Sequence, residues 1–205
     1  YNISWDTLSP DGEDCGNGTK FRTDTKGVLI RQMDYMTKMR NEFKALMKSD
    51  PENIKKWDTM QFAAKTLVAS MYGVAGDAKY GMYHPEIAAA ITYTSRSTLH
   101  ELMDEAEAEG FKVLYGHTDS VFCVIPTPEK GLEVIDRINA RMAPIEVEFE
   151  KWCSRIILVA KNRYTGMTAW TDGSYHDPTL YVKGIELKQS RMPPVMSEAM
   201  TNTIR

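Results

Sequence analysis

No stretch of these 205 residues is apolar for long enough to cross a membrane. The longest such run, around Ile156 to Ala160, falls far short of the roughly 20 residues a spanning helix needs. The opening YNISWDTL has no charged-then-apolar signal pattern, so export is not expected. Cysteine is scarce: Cys15, Cys123 and Cys153 are odd in number and contain no C-x-x-C spacing. That argues against a disulfide framework and against a zinc site, and it fits a reducing, cytoplasmic setting. An overall excess of positive charge is missing too. The formal net charge is −3, which excludes a simple DNA-coating protein, because such binding rests on Lys and Arg neutralising phosphates. What is present is an ordinary globular composition, 42% hydrophobic and 26% charged, able to bury one sizeable core or two small ones.

Charge becomes informative locally. Between Gly27 and Lys65 eight basic residues stand against five acidic ones, a local excess of three. Residues 1–26 are rich in Gly, Asp, Asn and Thr without a sustained period, and read as a connector. From Val28 apolar residues recur at three- and four-residue steps (Leu29, Met33, Met36, Met39, Phe43, Leu46), and a second such run passes through Trp57, Met60, Ala64 and Leu67 toward Tyr72 and Gly73. A Ser-Asp-Pro break between them predicts an antiparallel helical hairpin over 27–76. Pro85 opens a third helix with a stripe from Ile87 to Ala106, ending at Gly110.

The period then changes. FKVLYG and SVFCVIP are short β-branched and aromatic runs joined by a link at His117 to Ser120, which predicts a strand, a tight turn and a returning strand. A further amphipathic helix carries Leu132, Ile135, Ile138 and Met142, and IEVEFEKW and RIILVAKNRYTGM look like strands. The expected class is α+β.

Several residues in this frame point to phosphate chemistry. Asp119 sits at the tip of the predicted hairpin, where a carboxylate is held still enough to ligate Mg²⁺; an isolated turn aspartate reads equally well as a cap for backbone amides. Arg40 and Lys44 are four apart and share a helix face, and Lys65 on the returning helix can point into the same gap, so that three cations could hold a triphosphate. A solvated basic face has the same pattern. Glu148 and Glu150 alternate on a strand and share a side.

Taken in order, these stretches resemble family B DNA polymerases. That family carries Arg and Lys four apart, then Lys-x-x-x-Asn-Ser-x-Tyr-Gly, then Tyr-Gly-Asp-Thr-Asp-Ser, and here stand Arg40 and Lys44, KTLVASMYG from Lys65 to Gly73, and YGHTDS from Tyr115 to Ser120. EVEFE, KNRY and KGIEL follow in the family's order, and YNISWDTL is similar to the segment after its first palm aspartate motif.

The resemblance implies an antiparallel palm sheet with packed helices and a helical-hairpin fingers insertion: 1–26 a palm connector, 27–76 the fingers, 77–205 the rest of the palm leading toward a thumb. It implies template-directed transfer of a nucleotide from dNTP to a primer 3′ hydroxyl. Asp119 would be catalytic and bind Mg²⁺, with Glu150 a second metal candidate; Arg40, Lys44, Lys65, Ser70 and Tyr72 would bind the nucleotide. Tyr115, Gly116, Thr118, Lys161, Arg163, Tyr164, Gly184 and Glu186 would contact primer-template DNA. Two-metal chemistry needs a further carboxylate, expected outside this chain, so these residues would work with the rest of the polymerase, in cis or as one half of a split enzyme, and not alone. Three departures stand out: His117 replaces the motif's first aspartate, Ala69 its asparagine, and Gln189 and Ser190 an expected arginine pair. They motivate the alternative of an inactivated relative that only binds primer-template or a partner.

Overall fold

A computed structural model describes residues 1–185 and 193–204. Its elements mix helices with three small antiparallel sheets, the α+β class expected. The chain divides into two compact units, Tyr1–Thr98 and Leu99–Arg205, with the division falling inside one helix. Among the described residues no helix is long and apolar enough to cross a membrane.

The first unit begins with two short strands, β1 (Leu8–Asp14) and β2 (Lys20–Phe21), inside the stretch read as a connector. Turn-forming residues fill β1, so it has no alternating pattern; it is held instead by Phe21, which is fully buried with Ile3, Cys15, Ala75, Ile87 and Ala90. The helical hairpin follows: α1 (Val28–Ser49), a 3-10 turn over Pro51–Asn53, and α2 (Ile54–Gly76). Its N-cap residue, Gly27, has no side chain to offer the orphan amides. Residues from the start of the chain take over. Ser4 Oγ accepts from Leu29 N–H at 3.1 Å, Asp6 accepts from Val28 N–H at 2.9 Å, and Asn2 Oδ1 accepts from Gly27 N–H at 2.8 Å. At the far end Asp50 accepts from the Trp57 indole at 3.0 Å, and Trp57 stacks on Phe43 with centroids 6.1 Å apart. With only Leu29 buried in α1, and Ala64 and Ala75 in α2, the hairpin has a thin interface of half-buried Met and aromatic residues.

Helix α3 (Pro85–Ala108) starts in the first unit and ends in the second. The second unit continues with the hairpin β3 (Lys112–His117) and β4 (Ser120–Val124), helix α4 (Pro128–Met142), the sheet β5 (Lys151–Ala160), β6 (Arg163–Thr171), β7 (Ser174–Lys183), and helix α5 (Pro194–Ile204). The core under α4 is Val134, Ile138 and Met142, packed with Leu102, Phe111, Ile145 and Val147. Leu132, expected on that stripe, is exposed; Gly131 takes the inward place, because the Phe149 ring lies only 2.7 Å from where a Cβ would stand.

Residues 145–150, expected as a strand, are extended and alternate half-buried and exposed, yet join no ladder. The Asn139 side chain supplies the missing partner: it donates to Val147 C=O at 3.0 Å and accepts from Val147 N–H at 2.7 Å. Arg137 and Arg141 on α4 bind Glu109 at 2.6 and 2.8 Å, and Arg141 also pairs with Glu105.

Candidate functional site

The candidate residues fall into two groups, one in each unit. In the first unit, Arg40 is half-buried on α1, Lys44 is exposed one turn on, and Lys65 is exposed on α2. None of the three makes an ion pair among the described residues, unlike Arg22, Arg137 and Arg141, which all hold carboxylates. The Arg40 Nε is enclosed without a hydrogen-bond partner, so its donor capacity is unspent. Tyr72 near the end of α2 presents an exposed ring, and the Ser70 hydroxyl donates back to Leu67 C=O at 2.8 Å.

In the second unit the hairpin places Asp119 at its tip, between the two short β-branched and aromatic runs FKVLYG and SVFCVIP. The ladder runs down to the pair His117 and Ser120, leaving Thr118 and Asp119 as the link. Asp119 N–H donates to His117 C=O at 2.6 Å across Thr118, whose φ is 54°. A three-residue turn with a β-branched residue at positive φ is strained, by about 1–3 kcal/mol for such conformations. Strain of this kind persists where the surroundings over-determine the backbone, and here they do. Tyr115, Phe122, Tyr164 and Tyr181 form a chain of rings that joins the β3–β4 hairpin to the β5–β6–β7 sheet: Tyr115 meets Phe122 at 6.0 Å, Phe122 meets Tyr164 at 5.0 Å, and Tyr164 meets Tyr181 at 5.9 Å. His117 stacks on Tyr115 with ring centroids 6.1 Å apart.

The Asp119 carboxylate is exposed, and the Ser120 hydroxyl donates to it at 3.3 Å. Glu148 and Glu150 are both exposed on one side of the extended segment, with Glu150 paired to Lys151 at 2.7 Å. Among the described residues no three His, Cys, Asp or Glu side chains gather as a metal-binding group. Asp119 nonetheless suits a hard cation: Mg²⁺ commonly takes one or two carboxylate oxygens and completes its shell with water and substrate phosphates.

Lys161 and Asn162 link β5 to β6 and are exposed, with Arg163 half-buried beside them. A shallow groove runs between this turn and the hairpin tip, lined by Tyr115, Gly116, His117 and Thr118 on one side and by Leu158 to Asn162 on the other. Seven of the eight expected DNA contacts are thus described: Tyr115, Gly116, Thr118 and Lys161 line the groove, Arg163 and Tyr164 open β6 directly after the turn, and Gly184 lies against the Asn162 carbonyl. The Tyr164 ring is enclosed, only 2% of the residue being exposed, and burial pushes its phenol well above the usual range. Its ring meets those of Phe122 at 5.0 Å and Tyr181 at 5.9 Å. Glu186, with Gln189 and Ser190, lies outside the described residues.

One residue of this groove is not evident from the sequence. Asn162 stands at φ 62° with its side chain bonded across to Tyr115. An Asn in a two-residue hairpin link, where positive φ is wanted, is the signal that could have found it.

The family description DNA polymerase family B matches residues 9–205. The chain is 34% identical over 198 residues to a DNA polymerase of Archaeoglobus fulgidus, covering 92% of this chain and 24% of that protein. A DNA polymerase of Thermococcus gorgonarius is 34% identical over 181 residues, covering 80% and 23%. DNA polymerase 2 of Aeropyrum pernix is 30% identical over 181 residues, covering 82% and 22%. In fold, the chain is similar over its whole length to 29% of a family B DNA polymerase from Pyrobaculum calidifontis, at a TM-score of 0.64 and 21% identity. It spans about a quarter of the length of the archaeal relatives it matches.

Proposed function

The chain belongs to DNA polymerase family B, and on that premise we propose that it supplies the fingers, residues 27–76, and part of the palm, residues 1–26 and 77–205, of a template-directed DNA polymerase. The observation that carries this reading is Asp119, an exposed carboxylate on a strained hairpin tip that is braced from behind by a chain of aromatic rings.

In this reading Arg40, Lys44 and Lys65 bind and orient the triphosphate of the incoming dNTP. That none of the three pairs with a carboxylate among the described residues supports it, as does the unpartnered Arg40 Nε, since an anion would otherwise have to displace a partner. Tyr72, with Ser70 close by on α2, packs beneath the new base pair. Lys161 and Arg163 contact the primer-template backbone without regard to sequence, as Tyr115, Gly116, Thr118 and Gly184 shape the surface the duplex meets. The primer 3′ hydroxyl attacks the α-phosphate in line and pyrophosphate leaves; positioning and charge neutralisation supply most of the acceleration in such a transfer. Mg²⁺, when bound, would neutralise phosphate oxygens, with Asp119 as its ligand from this chain and Glu150 as a second candidate. The other carboxylate of a two-metal site is assigned to the rest of the polymerase, with which these residues act. In this reading the work is done where replicating DNA lies, in the cytoplasm at a nucleoid or a viral replication site.

The test is primer extension by the assembly completed with the remaining polymerase segments. Asp119→Ala is expected to lower nucleotide incorporation about a thousandfold or more, roughly 4 kcal/mol of transition-state stabilisation, with primer-template affinity little changed. Extension that survives this substitution sinks the mechanism. His117, at the place of the family's first motif aspartate, favours a second reading, a relative that binds primer-template without synthesis; a completed assembly that binds DNA and never extends it is the outcome that reading requires.

A further inference from the structure

Two short loops face each other across the groove of the second unit: the tip Thr118–Asp119, and the turn Lys161–Asn162. They belong to different sheets and share no ladder. One side chain bridges them. The Tyr115 hydroxyl donates to Asn162 Oδ1 at 2.8 Å and accepts from Asn162 N–H at 3.0 Å, so donor and acceptor of one hydroxyl are both spent on one residue. The backbone N–H fixes the direction of the hydroxyl's lone pair, and that leaves its proton aimed at the side-chain oxygen.

Asn162 is held from a further direction. Its carbonyl oxygen lies 1.9 Å from where a Cβ at Gly184 would stand, so the backbone just past the end of β7 presses against the turn. Its φ of 62° is one that Asn adopts at little cost, because its short polar side chain tolerates the left-handed region. On the other side of the bridge, the Tyr115 ring is packed against Phe122 and Tyr164, two ladder steps below the last pair of the hairpin. A shift of the turn therefore pulls on the ring that carries the tip.

From this arrangement we propose that Asn162 is a positioning residue: through Tyr115 it locks the hairpin tip bearing Asp119 to the turn bearing Lys161 and Arg163, so that the carboxylate and the grip on the primer backbone keep one fixed spacing. The proposal rests on the polymerase reading above. Asn162 touches neither nucleotide nor metal in it; it acts through Tyr115.

The test compares variants in the completed assembly and in the chain itself. Asn162→Gly keeps the left-handed backbone and removes the acceptor, Tyr115→Phe removes the hydroxyl, and Asn162→Asp keeps an acceptor in place. Asn162→Gly and Tyr115→Phe are each expected to lower kcat about tenfold while KM for dNTP stays within about twofold, since Arg40, Lys44 and Lys65 are untouched. The double variant is expected to be no worse than either single one, and Asn162→Asp to retain kcat within about threefold. In the chain alone, exchange of the Asp119 amide is expected to speed up in Asn162→Gly and not in Asn162→Asp. Wild-type kcat in Asn162→Gly, additive losses in the double variant, or an Asn162→Asp as slow as Asn162→Gly each overturn the bridge. A wild-type assembly that binds primer-template and never extends overturns the polymerase reading instead, and the amide exchange then still decides whether the bridge holds the tip.

Discussion

Gly184 is where a single atom costs most. Its φ is +65°, and any Cβ would collide with the Asn162 carbonyl. Gly184→Ala is expected to destabilise the second unit by about 2–4 kcal/mol, read as a lowered urea midpoint, since strain and overpacking act together. Cys123 makes a different residue-scale prediction. Burial pushes its thiol up to about 11, so alkylation at about pH 8 should be slow in the folded chain and rapid in urea. Residues of this kind differ in how plainly the sequence announces them. Asp119 is legible because strands of opposite run flank it. Asn162 is not, since its role comes from a partner 47 positions away. Tyr164 is legible as an important residue but not as an enclosed one, because the rings that cover it, Phe122 and Tyr181, come from two other strands.

Among the elements, α1 depends on a cap it does not contain. The Ser4 hydroxyl first, and Val28 N–H after it, hold the Asp6 carboxyl below its ordinary 3.8. A carboxyl held low adds stability above its ordinary value and loses it as pH falls through the lowered one. Asp6→Ala should therefore cost about 1 kcal/mol at neutral pH, as lost caps do, with the gap to wild type closing in acid denaturation below pH 3.8. The α3–α4 contact behaves likewise. Arg137 and then Arg141 bring Glu109 down to about 2 from 4.5, so the melting temperature should fall between pH 4.5 and 2, and Glu109→Gln should flatten that fall. The helices are readable in the sequence because their apolar steps repeat over several turns. β1 and residues 145–150 are not: one is a strand built of turn residues around a single buried phenylalanine, and the other has strand alternation while its hydrogen bonds go to one asparagine side chain.

At the scale of the whole chain, two cores divide the work of stability, one around Phe21 and Ile87 and one around Val134 and Ile138. Phe21→Ala should cost the first unit about 3–5 kcal/mol, and amide exchange should rise in α1 and α2 while β5, β6 and β7 keep their protection. Length and composition allow either one sizeable core or two small ones, and neither they nor the unbroken stripe of α3 marks where the chain divides. The cap on α1 has one more consequence, for anyone who treats the helical hairpin as an exchangeable cassette. Cut at its own first residue and moved into a relative, it would leave Asn2, Ser4 and Asp6 behind, and its leading amides would meet whatever the host offers. The transplantable unit is longer than the hairpin: it begins with the residues that fasten it down.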